Sequence, residues 1–145
     1  MTCSLTMTLI SEHQEGECGD DWKYELGVKV FNQGLQGEGL FSVPKHTLQA
    51  GVVEKPHGLP EPLLVFAGEC TGELLVKMHL EATEVDLFVN DVGKASMVFK
   101  LECPGSAGGS VTKEVEIAAG VREAPAFLNK DSVFTVQVRF DLVCE

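Results

Sequence analysis

The sequence lacks any apolar run approaching the ~18 residues that a membrane-spanning helix needs, so no helical span is predicted. Positive charge is scarce: 11 Lys and Arg stand against 22 Asp and Glu, a net charge of −11. Affinity for nucleic acid comes largely from Lys and Arg on phosphates, so this balance argues against such a partner. It argues equally against docking on an anionic membrane without a bridging cation such as calcium. The first residues, Met1 to Ile10, have no basic stretch, and Thr and Ser interrupt their apolar positions. No secretory signal is read there, which predicts a cytoplasmic protein. No C-x-x-C occurs among Cys3, Cys18, Cys70, Cys103 and Cys144, which leaves zinc-ribbon, redox-motif and haem-attachment readings without support. The scattered, odd set predicts reduced thiols, as in an intracellular protein. Cys3 and Cys144 lie in the first and last apolar stretches and are expected as neighbouring buried thiols. Also missing are H-E-x-x-H, the G-x-S-x-G elbow and the Walker arrangement. The Gly105-Ser106-Ala107-Gly108-Gly109 stretch reads as a hairpin loop rather than a phosphate cradle.

What remains is a chain of 145 residues, 44% hydrophobic and 23% charged, which suits one folded domain spanning 1–145. Its dominant signal is alternation with period two. Trp22, Tyr24, Leu26, Val28 and Val30 share one face of an extended segment, opposite Lys23, Glu25 and Lys29. Phe134, Val136, Val138, Phe140 and Leu142 repeat the pattern, as do alternate residues of 94–103. Weaker versions occur at 3–11, 38–43, 63–67 and 110–118. Segment 73–83 is rich in helix formers, but Leu74, Val76, Met78, Leu80 and Ala82 alternate without a break, and strand is preferred. The expected fold is all-β, an eight-stranded antiparallel β-sandwich with turn residues between strands. Pro44 to Leu48 is given a single helical turn.

If each connection reverses the chain, the odd-numbered ones share an end of the sandwich. These are 12–21, 44–62, 84–93 and 119–130, the longer connections. Two of them are acidic: Asp20 and Asp21 close the first, and Glu84, Asp86 and Asp91 mark the third. Calcium takes about six to eight oxygen ligands, and carboxylates from separate loops can supply them. Gathering these acids without a cation is opposed by like-charge repulsion. In a continuing strand, Glu84 and Asp86 project to the same side, with Asn90 and backbone carbonyls near enough to complete the shell. The plain alternative is that the acids are turn residues, with Glu84 and Asp86 paired to Lys94 or Arg122.

The stretch Val76 to Asp86, followed by Asn90-Asp91-Val92-Gly93-Lys94-Ala95, resembles the third-loop region of C2 domains, the calcium- and lipid-binding sandwiches. There a strand ends in an acid-x-Asp pair, and a later Asp precedes a Gly that opens the next strand. Asp20-Asp21-Trp22-Lys23-Tyr24 resembles the first-loop acid and the strand after it. The resemblance implies a C2-like sandwich of permuted strand order, with calcium held by Asp20 or Asp21, Glu84, Asp86 and Asp91. Leu87, Phe88 and Val89 then form an apolar tip between the acids; core packing is the alternative for them. The chain departs from the pattern in having Glu84 where Asp is usual and in lacking a polybasic strand.

Two further readings stand beside calcium. One is a metal-independent module that binds a protein partner or self-associates through an apolar outer face, for example at Val98, Val133 and Val143. The other is a small metal-dependent β-barrel enzyme, with His13, His46 and His57 meeting Asp20 or Glu54. His79 reads as a surface residue, and Trp22 as a buried anchor at a strand start.

Overall fold

Alternation decides the architecture. In a computed structural model, which describes residues 1–87, 89–123 and 130–145, Trp22, Tyr24, Leu26, Val28 and Val30 are each no more than 2 % exposed. Their neighbours in sequence face outward, as the pleat requires. The strands are β1 (Thr2–Gly16), β2 (Asp21–Phe31), β3 (Leu35–Thr47), β4 (Val53–Glu54), β5 (Leu63–Glu69), β6 (Glu73–Glu84), β7 (Asp91–Glu102), β8 (Gly109–Arg122) and β9 (Asp131–Cys144). The eight expected strands are all present, longer than the alternation alone marked, and the two-residue β4 is a ninth. No helix occurs among the described residues, so none there is long and apolar enough to cross a membrane.

One sheet has the order β4-β1-β9-β8, with β5 pairing on the same edge of β1 as β4. The other has the order β3-β2-β6-β7, and every pairing is antiparallel. Their inward rows pack into one apolar core, in which Trp22 stacks on Phe134 at 5.1 Å between ring centroids. Burial of each large side chain stabilises by about 1.5–3 kcal/mol, and the edge-to-face or stacked pairs add to it.

Pro44 lies within β3, so the helical turn expected at 44–48 does not form. The pairing with β2 shifts register there, Tyr24 facing Val43 and Trp22 facing His46. An edge-strand bulge tolerates proline because no ladder hydrogen bond is lost. A second shift, between Leu9 and Ser11 of β1, reverses which residues face inward. Leu5, Met7 and Leu9 are buried before it, Glu12 and Gln14 after it. Buried Glu12 meets His46, whose Nε2 is 2.6 Å from Glu12 Oε1 and whose Nδ1 is 2.8 Å from the Pro44 carbonyl. Both ring nitrogens face oxygens, so the ring is held between the Glu12 side chain and the Pro44 backbone. His57 stacks on His46 at 4.5 Å and 7° between ring planes.

The cysteines do not follow the expectation of five free thiols. Cys3 and Cys144 face each other in register on β1 and β9 and form a disulfide. Cys70 and Cys103 form a second, where the Cys103 N–H donates to the Gly72 carbonyl at 2.9 Å. Sequence separations of 141 and 33 residues hid both proximities, which the strand pairing creates. Cys18 stays free and buried.

Two outcomes are expected. Reduction, or the pair Cys70→Ser with Cys103→Ser, lowers stability by about 2–4 kcal/mol per disulfide in urea denaturation. His46→Gln alone strands the Glu12 carboxylate in the interior and costs about 3–5 kcal/mol. His46→Gln combined with Glu12→Gln recovers much of that loss, and a double-mutant cycle measures the coupling.

Candidate metal centre

The inward row of β6 runs Leu74, Val76, Met78, Leu80, Ala82 and then reaches Glu84, which is 5 % exposed. The inward row of β7 begins at Asp91, 3 % exposed, directly opposite Glu84 in register. The apolar rows thus end in two facing carboxylates between the sheets. Like charges directly opposite destabilise a strand pair. Asp86 lies beyond the strand in the connection 85–90 and is exposed, yet it turns back toward them. One carboxylate oxygen from each of Glu84, Asp86 and Asp91 lies within 4.8 Å of the other two.

The loop backbone holds this geometry. The Val85 N–H donates to the Asp21 carbonyl at 2.7 Å, tying the loop to β2. The Asp86 N–H donates to Asn90 Oδ1 at 3.1 Å, and the Leu87 N–H to Asp86 Oδ1 at 2.7 Å. The first loop closes over the same end. The Trp22 indole donates to the Gly19 carbonyl at 2.9 Å, and a Cβ on Gly19 would stand 2.4 Å from Glu84 Oε1. Only glycine, here at φ 138°, lets that backbone approach the carboxylate. The Gln14 side-chain amide spans the loops: its Nε2 donates to the Leu48 carbonyl at 2.8 Å and to the Gly19 carbonyl at 3.1 Å.

Electrostatically the site is strained. Burial, then the charges of Asp86, Asp91, Glu123 and Asp21, push the Glu84 carboxyl up to about 7 from an ordinary 4.5. Glu84 Oε2 is buried and has no hydrogen-bond partner. Lys94 and Arg122, the basic residues considered as partners for Glu84 and Asp86, are engaged elsewhere. Lys94 lies 4.0 Å from Glu81, and Arg122 is 2.9 Å from Asp131.

Of the six residues singled out by sequence, three converge: Glu84, Asp86 and Asp91. Asp21 is half-buried and near enough to act on Glu84, but is outside the triad. Asp20 is exposed, and its carbonyl accepts the Leu48 N–H at 2.7 Å. Asn90 braces the loop through its side-chain oxygen. Two participants were missed. Glu123, paired with Lys130 at 3.9 Å, acts on Glu84, and the buried Cys18 thiol is pushed up by burial and by the charges of Asp91, Glu123 and Glu84. Glu123 is the lone acid of the segment 119–130, which the reversal argument had already assigned to this end. Leu87 and Val89 are 85 % and 51 % exposed, so core packing does not hold for them; Phe88 lies outside the described residues, as do 124–129.

Comparison with protein-family models, with curated proteins and with solved structures returned no match.

The histidines do not gather. His13 is 3.3 Å from Glu15, His46 bonds Glu12, and His79 is 3.1 Å from Ser96 Oγ. His46 and His57 stack with nearly parallel planes. Imidazole lone pairs lie in the ring plane, so such a stack does not aim both rings at one ion. Among the described residues, the acidic triad is the one group of three or more metal-ligating side chains brought together. Val98 lies on the outer face of one sheet, Val133 and Val143 on that of the other, so these three do not make one patch.

Because Glu84 keeps its proton to about pH 7 in the folded chain and to about 4.5 otherwise, the folded state binds more protons in that window. Stability therefore falls as pH rises through it, by roughly 3 kcal/mol in full. Glu84→Gln is neutral throughout and is expected to lose this slope. Urea denaturation at about pH 5 and about pH 8 compares the two chains, and parallel pH profiles would contradict the assignment.

Proposed function

We propose that the chain is a non-enzymatic, C2-like binding module that takes up calcium at the acidic end of its sandwich. The observations that carry this reading are the convergence of Glu84, Asp86 and Asp91 and, on Glu84, a buried carboxylate oxygen with no hydrogen-bond partner. Carboxylates are hard donors of the kind calcium takes, and loop carbonyls and water would supply the remaining ligands. A divalent cation would turn the mutual repulsion of Glu84 and Asp91 into attraction and favour the ionised form of Glu84. Two features support the C2-like assignment. The first loop and the loop after β6 share an end and are joined through Asp21 and Val85. Exposed Leu87 and Val89 flank the acids, where an apolar tip would engage a membrane or a partner once calcium is bound.

The two disulfides bear on where the module works. Such bonds persist in oxidising compartments and are rare in the cytosol. This favours an oxidising environment over the cytoplasmic location expected from the first residues, and extracellular calcium levels suit a weak site.

Millimolar calcium is expected to raise the melting temperature. A ligand at 100 times its Kd adds about 2.7 kcal/mol to folding stability. Asp86→Asn together with Asp91→Asn is expected to abolish the rise while leaving the fold intact. An unshifted melting curve, with no heat on calcium titration, would sink the proposal.

A further inference from the structure

The outer face of the β3-β2-β6-β7 sheet carries a feature the metal centre does not use. Its outward residues form rows across the strands. One row is Leu40, Gly27, His79 and Ser96. The next is Glu38, Lys29, Lys77 and Val98. The first row dips at Gly27, which has no side chain, between Leu40 on one side and His79, bonded to Ser96 Oγ, on the other. A groove of about 830 Å³ lies over it. That size falls within the range of small-molecule sites, roughly 300–1,000 Å³.

The fold itself does not require Gly27. It is not among the positive-φ glycines, and a Cβ there would meet Leu40 Cδ1 at 3.8 Å, an ordinary contact. Glycine inside a strand weakens it and often marks the close approach of a ligand or another backbone. The charges beside it are equally unexplained from within. Lys29 and Lys77 stand opposite each other in register. Glu38 faces Lys29 on β3, yet among the described residues neither lysine has a carboxylate at ion-pair distance, in a chain with 22 acidic residues. Lys77 Nζ lies instead 5.2 Å from the Phe31 ring centroid. Like charges so placed repel, and an anion between them would reverse the sign. Leu40 and Val98, 56 % and 54 % exposed, add apolar walls.

We propose that this groove binds a small soluble amphiphile, an apolar chain ending in one carboxylate. The carboxylate sits between Lys29 and Lys77, and the chain crosses Gly27 against Leu40. Charge complementarity selects the head, and the missing side chain makes room for the body.

Dodecanoate, kept below its micelle concentration, is the probe, with calorimetry and backbone amide shifts at Gly27 as readouts. Saturable binding at one site is expected. Lys29→Glu with Lys77→Glu lowers affinity by more than about tenfold. Gly27→Val does the same by filling the groove, with Gly27→Ala as the milder variant should valine disturb folding. Asp86→Asn with Asp91→Asn leaves dodecanoate binding unchanged, which separates this site from the metal centre. Absence of saturable binding overturns the proposal. So does equal binding of dodecyltrimethylammonium, equal affinity of the lysine variant, or association with phosphatidylserine vesicles without binding of free dodecanoate.

Discussion

Everything at the acidic end depends on how the two sheets bury their inward rows against each other. Each row must stay apolar while it lies between the sheets, and becomes free to change where it emerges. On β2 and β9 the apolar rows end in Trp22 and Phe134, which stack and plug the core. On β6 and β7, at the same level, they end in Glu84 and Asp91. The apolar part of each row stabilises by several times the repulsion of one carboxylate pair. The fold therefore tolerates two facing acids at its rim. Glu84 responds by holding a proton to near neutrality.

The same end is shaped by a single extra residue in β1. Without the register shift between Leu9 and Ser11, Glu12 and Gln14 would face away from the core. With it, Glu12 holds His46 on the opposite sheet, and Gln14 holds the carbonyls of Gly19 and Leu48. Burial and the Glu12 charge together push the neighbouring Tyr24 phenol above its ordinary range. These buried polar contacts fix the first loop, whose Gly19 lies against Glu84, and the start of the connection after β3. The disulfides instead join strand ends and connections remote in sequence from the acidic loops. Covalent tethering and acidic clustering thus fall on different parts of the sandwich.

The strands were legible because a half-buried strand writes its environment at every second residue, as in β2 and β9. The shared end of the longer connections was legible too, since antiparallel pairing alternates the ends. Within the site, Glu84, Asp86 and Asp91 could be read because they close one strand and open the next. Asp20 carries the same carboxylate but lies exposed, its backbone carbonyl accepting the Leu48 N–H, while Asn90 spends its side-chain oxygen on the Asp86 N–H. No residue type distinguishes those uses. Pro44 misled toward a helical turn, because a bulge on an edge strand also accommodates proline.

Alone, the sequence determined the sandwich, the charge excess and the acidic character of two loops, because periodicity and composition act locally. Tertiary structure decided which carboxylates meet, which cysteines pair and that Glu12 is buried. Those outcomes depend on register between strands that lie far apart in the chain. A shift of one residue exchanges the inside for the outside, and no local pattern records it.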